Sequence, residues 1–269
     1  LAPLLVYSYL FNNGSYLQSW AIALDPPPEG CAYLNFIASH DGIGLRPLEG
    51  LIPDKDIEAL IDVIHTRGGY VSMRSDNNGA QKAYEMNIAL FSAFGGNAEA
   101  VPAYIGAHQL LLAFQGVPAL YLRAFLGTPN DLQEVEATGR TRSINRGHLD
   151  YETLKSELAD QDHLHARVYA ALSRSLEIRR AQPAFSPEAT QEVLPCQPQL
   201  FAMLRRHAEQ IVLVLSSFIP VEQQISLVEL TETHSNATLQ DLLTGTLHKH
   251  DATLFLAPYQ TLWLELDSR

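Results

Sequence analysis

The sequence predicts an α/β fold in which strands and helices alternate over residues 1–190, followed by a smaller all-β, antiparallel domain over residues 191–269. Three observations carry this prediction. Apolar runs at 32–39 and 117–122 are each followed by a polar loop and then a helical pattern. Short β-like runs separated by turns dominate after residue 190. In 269 residues, 46% hydrophobic and 18% charged side chains supply enough apolar material for a sizeable core.

Residues 4–24 repeat apolar side chains at helical spacing (Leu5, Tyr9, Leu10, then Leu17, Trp20, Ala21, Leu24). Asn12-Asn13-Gly14 interrupts them, which predicts two helical pieces. The apolar start at 1–11 lacks a basic leader region, an initiating Met and a small-residue cleavage site, and is too short to span a bilayer; it reads as the middle of something longer. Asp25-Pro26-Pro27-Pro28-Glu29-Gly30 is a stiff connector, since each proline disfavours the helical region for its predecessor. The strand at 32–39 then ends abruptly in Ser39-His40-Asp41. A buried strand that stops in polar residues delivers them to a rim, as the strands of a (β/α)8 barrel do, and Asp41 is the first candidate for a catalytic carboxylate. The plainer alternative is a turn, with Asp41 favouring the bend and Gly42 supplying positive φ.

Residues 53–67 predict a helix with Asp54 as N-cap, Asp56 and Glu58 in the first turn and an apolar face of Ile57, Leu60, Ile61 and Ile64, closed by Gly68-Gly69. Residues 70–74 alternate, 75–79 are a dense turn signal, and 84–88 can pair back as a hairpin. An insertion beside a strand end is where a substrate-contacting loop is expected. A helix at 98–114, a strand at 117–122, a polar loop at 127–150 holding Arg140, Arg142 and Arg146, and a helix at 164–180 complete the first domain. Composition changes near Gln182-Pro183, and β-like runs at 200–205, 210–216, 221–227, 253–256 and 260–266 suggest an antiparallel sandwich.

A net charge of -12 excludes nucleic acid or an anionic membrane as the main partner, and requires a local basic pocket for any anionic substrate. Cys31 and Cys196 are far apart and outside any CxxC spacing, so neither a disulfide framework nor a zinc site is signalled, and the expectation is a cytoplasmic protein with reduced thiols. The Asn-x-Ser/Thr triplets at Asn13 and Asn236 would matter only in a secreted chain. His163 and His165, and His248 and His250, alternate but lack a recognised carboxylate or cysteine partner. At a helix start His163 and His165 are not expected to share a face, so no metal is expected. Without a glycine-rich phosphate loop or nucleotide fingerprint, no cofactor is implied.

NFIASHDGIGLRPLEGL at 35–51, AYEMN at 83–87, GVPALYLRAFLGTPND at 116–131, GRTRSINR at 139–146 and APYQTLWLEL at 257–266 are collinear over nearly the whole chain. They resemble the C-terminal half of the sucrose phosphorylase group of the α-amylase superfamily (glycoside hydrolase family 13), which includes glucosylglycerate phosphorylases. The resemblance implies that residues 1–190 are the last strands and helices of a (β/α)8 TIM barrel with inserted substrate loops, and that 191–269 are the β domain that follows. It implies that Asp41 stabilises the oxocarbenium-like transition state and grips glucose hydroxyls, with His40 on the same sugar. Tyr84 and Glu85 match a mobile loop that shapes the acceptor and phosphate sides. Where sucrose phosphorylases proper carry a glutamine, Glu85 leans toward a glucosylglycerate-type enzyme. Arg142 resembles the loop arginine that meets phosphate or acceptor, with Arg140 as the alternative register; three guanidinium groups in seven residues supply the local positive field.

The implied reaction is retaining phosphorolysis of sucrose or glucosylglycerate, inorganic phosphate attacking a glucosyl ester to give α-glucose 1-phosphate. The nucleophilic and acid/base carboxylates this needs belong to earlier barrel strands. Glu49, Asp54, Asp76 and Glu85 sit in no matching motif, so the chain is expected to be a fragment that is inactive alone. Two rivals are a hydrolase or transglucosidase of the same superfamily, and a non-catalytic carbohydrate-binding or interaction protein.

Overall fold

The structure is a computed structural model that describes residues 1–75, 79–231 and 238–266. Asp76, Asn77 and Asn78 of the predicted turn, and Asn236, lie outside the described residues. The chain divides into two compact units, one of Leu1–Val6, Phe36–Tyr104 and Leu120–Ala171, the other of Tyr7–Asn35, Ile105–Ala119 and Leu172–Arg269. This grouping differs from the 1–190 and 191–269 division, because backbone pairing and side-chain packing join stretches that are remote in sequence.

The two N-terminal helices are Ala2–Leu10 and Ser15–Ile22, broken where Asn12 takes positive φ and the Asn13 side chain accepts the Ser15 N–H at 3.0 Å. Within the second unit, Leu34–Asn35 and Val117–Pro118 form a parallel pair, the trace of the predicted parallel rhythm. Both strands are two residues long, much shorter than the runs at 32–39 and 117–122. Among the described residues no third strand flanks them, and Leu34 and Val117 are exposed, so nothing extends the ladder.

The β-rich part of this unit is a six-stranded antiparallel sheet in the order Leu247–Lys249, Thr238–Asp241, Thr261–Leu266, Gln210–Ser217, Leu200–His207, Thr190–Leu194. A separate ladder pairs Gln223–Ser226 with Thr253–Leu256. Period-two alternation sends Leu200, Ala202, Leu204, Leu213, Leu215, Leu262 and Leu264 to one face, where they share a cluster with Leu254 and Leu256 of the ladder. The opposite face is buried too. Phe201 meets Phe114 (ring centroids 5.4 Å apart), Trp263 meets Phe185 (4.8 Å), and the Tyr9 hydroxyl bonds Ser216 Oγ at 2.7 Å. Burial on both faces is why these strands read as continuous apolar runs. Thr190–Leu194, Thr238–Asp241 and Leu247–Lys249 escape the pattern because they are short, polar and half solvated. The expected run at 221–227 stops at Ser226, where helix Leu227–Thr231 begins.

One buried cation organises this unit. Arg205 is fully buried, donating to the carbonyls of Thr190 (3.2 Å), Ser186 (2.9 Å), Ala189 (3.3 Å) and Ala113. Arg179 donates to Leu112, Gly116 and Phe185 carbonyls at 2.8–3.0 Å. Burial disfavours the charged form of Arg205, with Arg179 adding a smaller repulsion, and the carbonyl oxygens offset that cost. Gly106 allows a further close approach: a Cβ there would lie 2.4 Å from the Tyr259 carbonyl oxygen.

In the first unit the predicted helix is Asp54–Thr66, burying Leu60 and Ile64; its N-cap is Pro53, not Asp54, with no side-chain cap bond. The hairpin pairs Tyr70–Ser75 with Gln81–Asn87, and Ile43–Gly44 adds a third strand against Met86 and Glu85. The loop at 127–150 contains helix Leu132–Thr138, capped by Asp131 and ending at Gly139, and a 3-10 turn at Thr141–Asn145; helix Tyr151–Ala159 follows. Neither α-helix has a buried residue, so neither left an apolar stripe in the sequence. The last long helix is Leu164–Ala181. No described helix is long and apolar enough to cross a membrane.

Lysine cannot reproduce the fork of Arg205. Arg205→Lys is expected to lower unfolding free energy by about 2–4 kcal/mol, as buried carbonyls lose their donors. Equilibrium urea unfolding followed by tryptophan fluorescence measures it.

Candidate active site

The stretch after Asn35 reverses at Ser39-His40-Asp41-Gly42. Ser39 and Gly42 exchange backbone hydrogen bonds at 3.2 and 3.3 Å, and Ser39 Oγ accepts the Asp41 N–H at 3.3 Å. Gly42 has φ 121°, and a Cβ there would lie 2.1 Å from the Met86 carbonyl oxygen. No other residue fits against the adjoining strand. The turn forms as the sequence suggests, and the partly buried Asp41 carboxylate sits at its bend.

Around Asp41 the structure gathers His40, Tyr84, Glu85, Arg142 and Arg146. Arg146 pairs directly with Asp41 Oδ1, and its Nε donates to the His40 carbonyl at 3.2 Å. Arg142 Nε lies 2.9 Å from Glu85 Oε2 and 3.7 Å from Asp41 Oδ1, while its Nη2 donates to the Tyr84 hydroxyl at 2.9 Å. His40 Nε2 is 3.5 Å from the same Asp41 oxygen, with a largely solvent-facing ring. Side-chain exposure falls from 31% at Asp41 to 12% at Glu85, so Glu85 is the inner carboxylate. The hydrogen bond to Glu85, and secondarily the charges of Glu85 and Asp41, hold the Arg142 guanidinium above its usual range.

Asn87, fully buried, registers the cluster. Its Nδ2 donates to the Asp41 carbonyl (3.0 Å) and Glu85 Oε2 (2.9 Å); its Oδ1 accepts from Ser72 Oγ (2.6 Å) and Thr141 Oγ1 (3.0 Å). Asn145, also buried, donates to the Ser39 carbonyl at 2.6 Å, and its own carbonyl accepts from the Tyr121 hydroxyl at 2.7 Å. Sequence reasoning assigned neither. Asn87 closes the AYEMN stretch and Asn145 lies in GRTRSINR, but a lone asparagine carries no chemical pattern. Arg146 was legible only as one of three loop arginines. Arg140, the alternative to Arg142, is exposed, and among the described residues its side chain makes no hydrogen bond or ion pair with the cluster. Glu49 pairs elsewhere, with Arg74 at 2.9 Å, and that hydrogen bond holds its carboxyl below the usual range.

Two carboxylates and two guanidinium groups cancel in charge while leaving guanidinium donors available, since contacts among the described residues use only part of the five N–H groups each carries. Such a cluster can take hydroxyl groups on its carboxylates and an anion on its arginines.

No protein-family model matches the chain. It is 35% identical to a glucosylglycerate phosphorylase of Spirochaeta thermophila and 30% identical to one of Escherichia coli, each over 98% of the chain and 47% of the relative. The chain thus spans about half the length of the curated relatives it matches. The crystal structure of a sucrose 6F-phosphate phosphorylase from Thermoanaerobacter thermosaccharolyticum superposes with a TM-score of 0.67 at 18% identity, over 81% of this chain and 42% of that one, a likeness of fold. The fold class is therefore the α/β fold, with a β-rich C-terminal part, of that phosphorylase structure. By sequence the chain is related to the glucosylglycerate and sucrose phosphorylase group, of whose glucosylglycerate members it spans about half the length.

Asn87→Ala removes the amide that joins four segments and leaves buried partners unsatisfied. It is expected to destabilise the protein by about 1–3 kcal/mol, whereas Arg140→Ala stays within about 0.5 kcal/mol. Urea unfolding of both variants, with hydrogen exchange at 39–42 and 81–87, distinguishes them.

Proposed function

We propose that this chain is part of a retaining α-glucoside phosphorylase acting on glucosylglycerate, with residues 1–190 forming the last strands and helices of a (β/α)8 catalytic barrel and 191–269 the β domain after it. The observation that carries the reading is the convergence of Asp41, Glu85, Arg142 and Arg146 in a chain whose similarity to glucosylglycerate phosphorylases extends over 98% of its length.

In this reading Asp41 faces the anomeric centre, where a fixed carboxylate stabilises the positive charge that develops as the glycosidic bond breaks. His40 bonds a hydroxyl of the same glucose. Arg142, oriented by Glu85 and Tyr84, receives the anionic partner, phosphate or the glycerate carboxylate, and Arg146 holds Asp41 until substrate takes its place. A nucleophilic carboxylate displaces glycerate, which takes a proton from the acid/base group, and forms a glucosyl ester; phosphate then attacks that ester, freeing the carboxylate and giving α-glucose 1-phosphate, without an organic cofactor or metal. The nucleophile and the acid/base carboxylate come from segments outside these 269 residues. Sucrose is the alternative donor; Glu85 favours glycerate as the acceptor. The setting of the chain in this reading is cytoplasmic, the expectation from a sequence of two cysteines without CxxC spacing.

The chain alone is expected to release no α-glucose 1-phosphate from glucosylglycerate or sucrose. Supplied with the N-terminal half of a glucosylglycerate phosphorylase, fused or co-expressed, it should show phosphate-dependent release, and Asp41→Asn should lower kcat by about 10²–10³. Equal turnover without phosphate would make the protein a hydrolase, and turnover by the chain alone would overturn the assignment of the missing carboxylates.

A further inference from the structure

The turn between helices Tyr151–Ala159 and Leu164–Ala181 carries Glu157, Asp160, Asp162, His163 and His165. On sequence grounds the two histidines are surface groups that do not share a face. The structure instead sets their rings 4.9 Å apart at 74°. The reason is local: His163 precedes the helix, so its side chain is not bound to the rotation of about 100° per residue that separates neighbours inside one.

Glu157, near the end of the preceding helix, reaches across the turn to both rings. Its Oε2 lies 2.9 Å from His165 Nδ1 and its Oε1 3.9 Å from His163 Nε2. One donor atom from each of the three residues lies within 4.8 Å of the others, and all three side chains are partly buried, His165 most. We infer that Glu157, His163 and His165 form a binding site for a divalent transition-metal ion of the zinc class, which clips the two helices together across the turn.

The donor set selects the ion. Two imidazole nitrogens and one carboxylate oxygen suit zinc, cobalt or nickel, not the all-oxygen shells of magnesium or calcium. Metal–ligand bonds of about 2.0–2.1 Å place tetrahedral donors about 3.3 Å apart, so Glu157 and His165 are already close enough and the His163 ring must swing inward. At present His163 Nδ1 accepts the His165 backbone N–H at 3.2 Å. Loading turns the ring off that weak contact and offers Nε2 to the metal, with the ring N–H on Nδ1. His165 Nδ1, which faces Glu157 Oε2, then presents its lone pair to the metal, with the ring N–H on Nε2. Asp160 and Asp162, both exposed on the same turn, add negative potential that draws the cation in. Water completes the shell. The inference rests on no reading of the reaction.

The test uses the full chain, stripped with EDTA and titrated with zinc by calorimetry and with cobalt by visible absorption. One equivalent of zinc should bind with a micromolar or tighter Kd and raise Tm, and cobalt should give a ligand-field band. Glu157→Gln and His165→Ala should each weaken zinc binding at least about tenfold and abolish the Tm rise, while His248→Ala leaves both unchanged. Glu157→Gln, which conserves shape, keeps the test decisive if His165→Ala folds poorly. Absence of saturable binding, or binding by Glu157→Gln indistinguishable from the parent chain, overturns the site.

Discussion

An asparagine side chain has two N–H donors and two acceptor lone pairs, and in a dry interior each must be matched. Asn87 meets that constraint with four partners drawn from the Asp41 turn, both strands of the hairpin and the loop at 141. The polar site depends on it, because buried apolar side chains such as Ile43, Met86 and Ile144 and the backbone ladders place the segments, and the amide ties their polar groups together. Removing any one segment strands a buried polar atom. The amide therefore acts as a geometric key: Asp41 and Glu85 occupy definite positions because Asn87 has no other way to be satisfied.

Charge follows from the same geometry. In a chain with a net charge of -12, two carboxylates side by side would repel, and Arg142 resolves this by standing between them while Arg146 pairs with Asp41. Guanidinium suits the task because its planar fork can meet a carboxylate, a carbonyl and a hydroxyl at once. Arg205 in the other unit solves a different problem with the same chemistry, terminating four main-chain carbonyls in a place where water does not reach.

Periodic segments were legible. The helix at Asp54–Thr66 declares itself because burial of one face imposes a period on the sequence, and the strands carrying Leu200 to Leu204, Leu213 to Leu215 and Leu262 to Leu264 because burial of both faces makes them continuous apolar runs. Helices Leu132–Thr138 and Tyr151–Ala159 did not, since neither has a fully buried residue and each is held by its Asp131 or Asp150 cap. The parallel strands were overextended: an apolar run states that a segment is to be covered, and its length as a strand depends on partners that pair with it.

Of the site, the sequence by itself determined which residues to consider: His40, Asp41, Tyr84, Glu85 and the arginine-rich loop stand out through motif and residue type. It also determined that Gly42 follows Asp41, a position whose backbone only glycine tolerates. Tertiary structure alone decided that Arg142 and not Arg140 reaches the carboxylates, that Arg146 pairs with Asp41, that Asn87 joins them, and that His163 and His165 converge on Glu157. These are distances between residues far apart in the chain or on opposite sides of a turn. Sequence periodicity records which face a residue occupies within its own element, whereas such contacts arise only when separate elements are packed together.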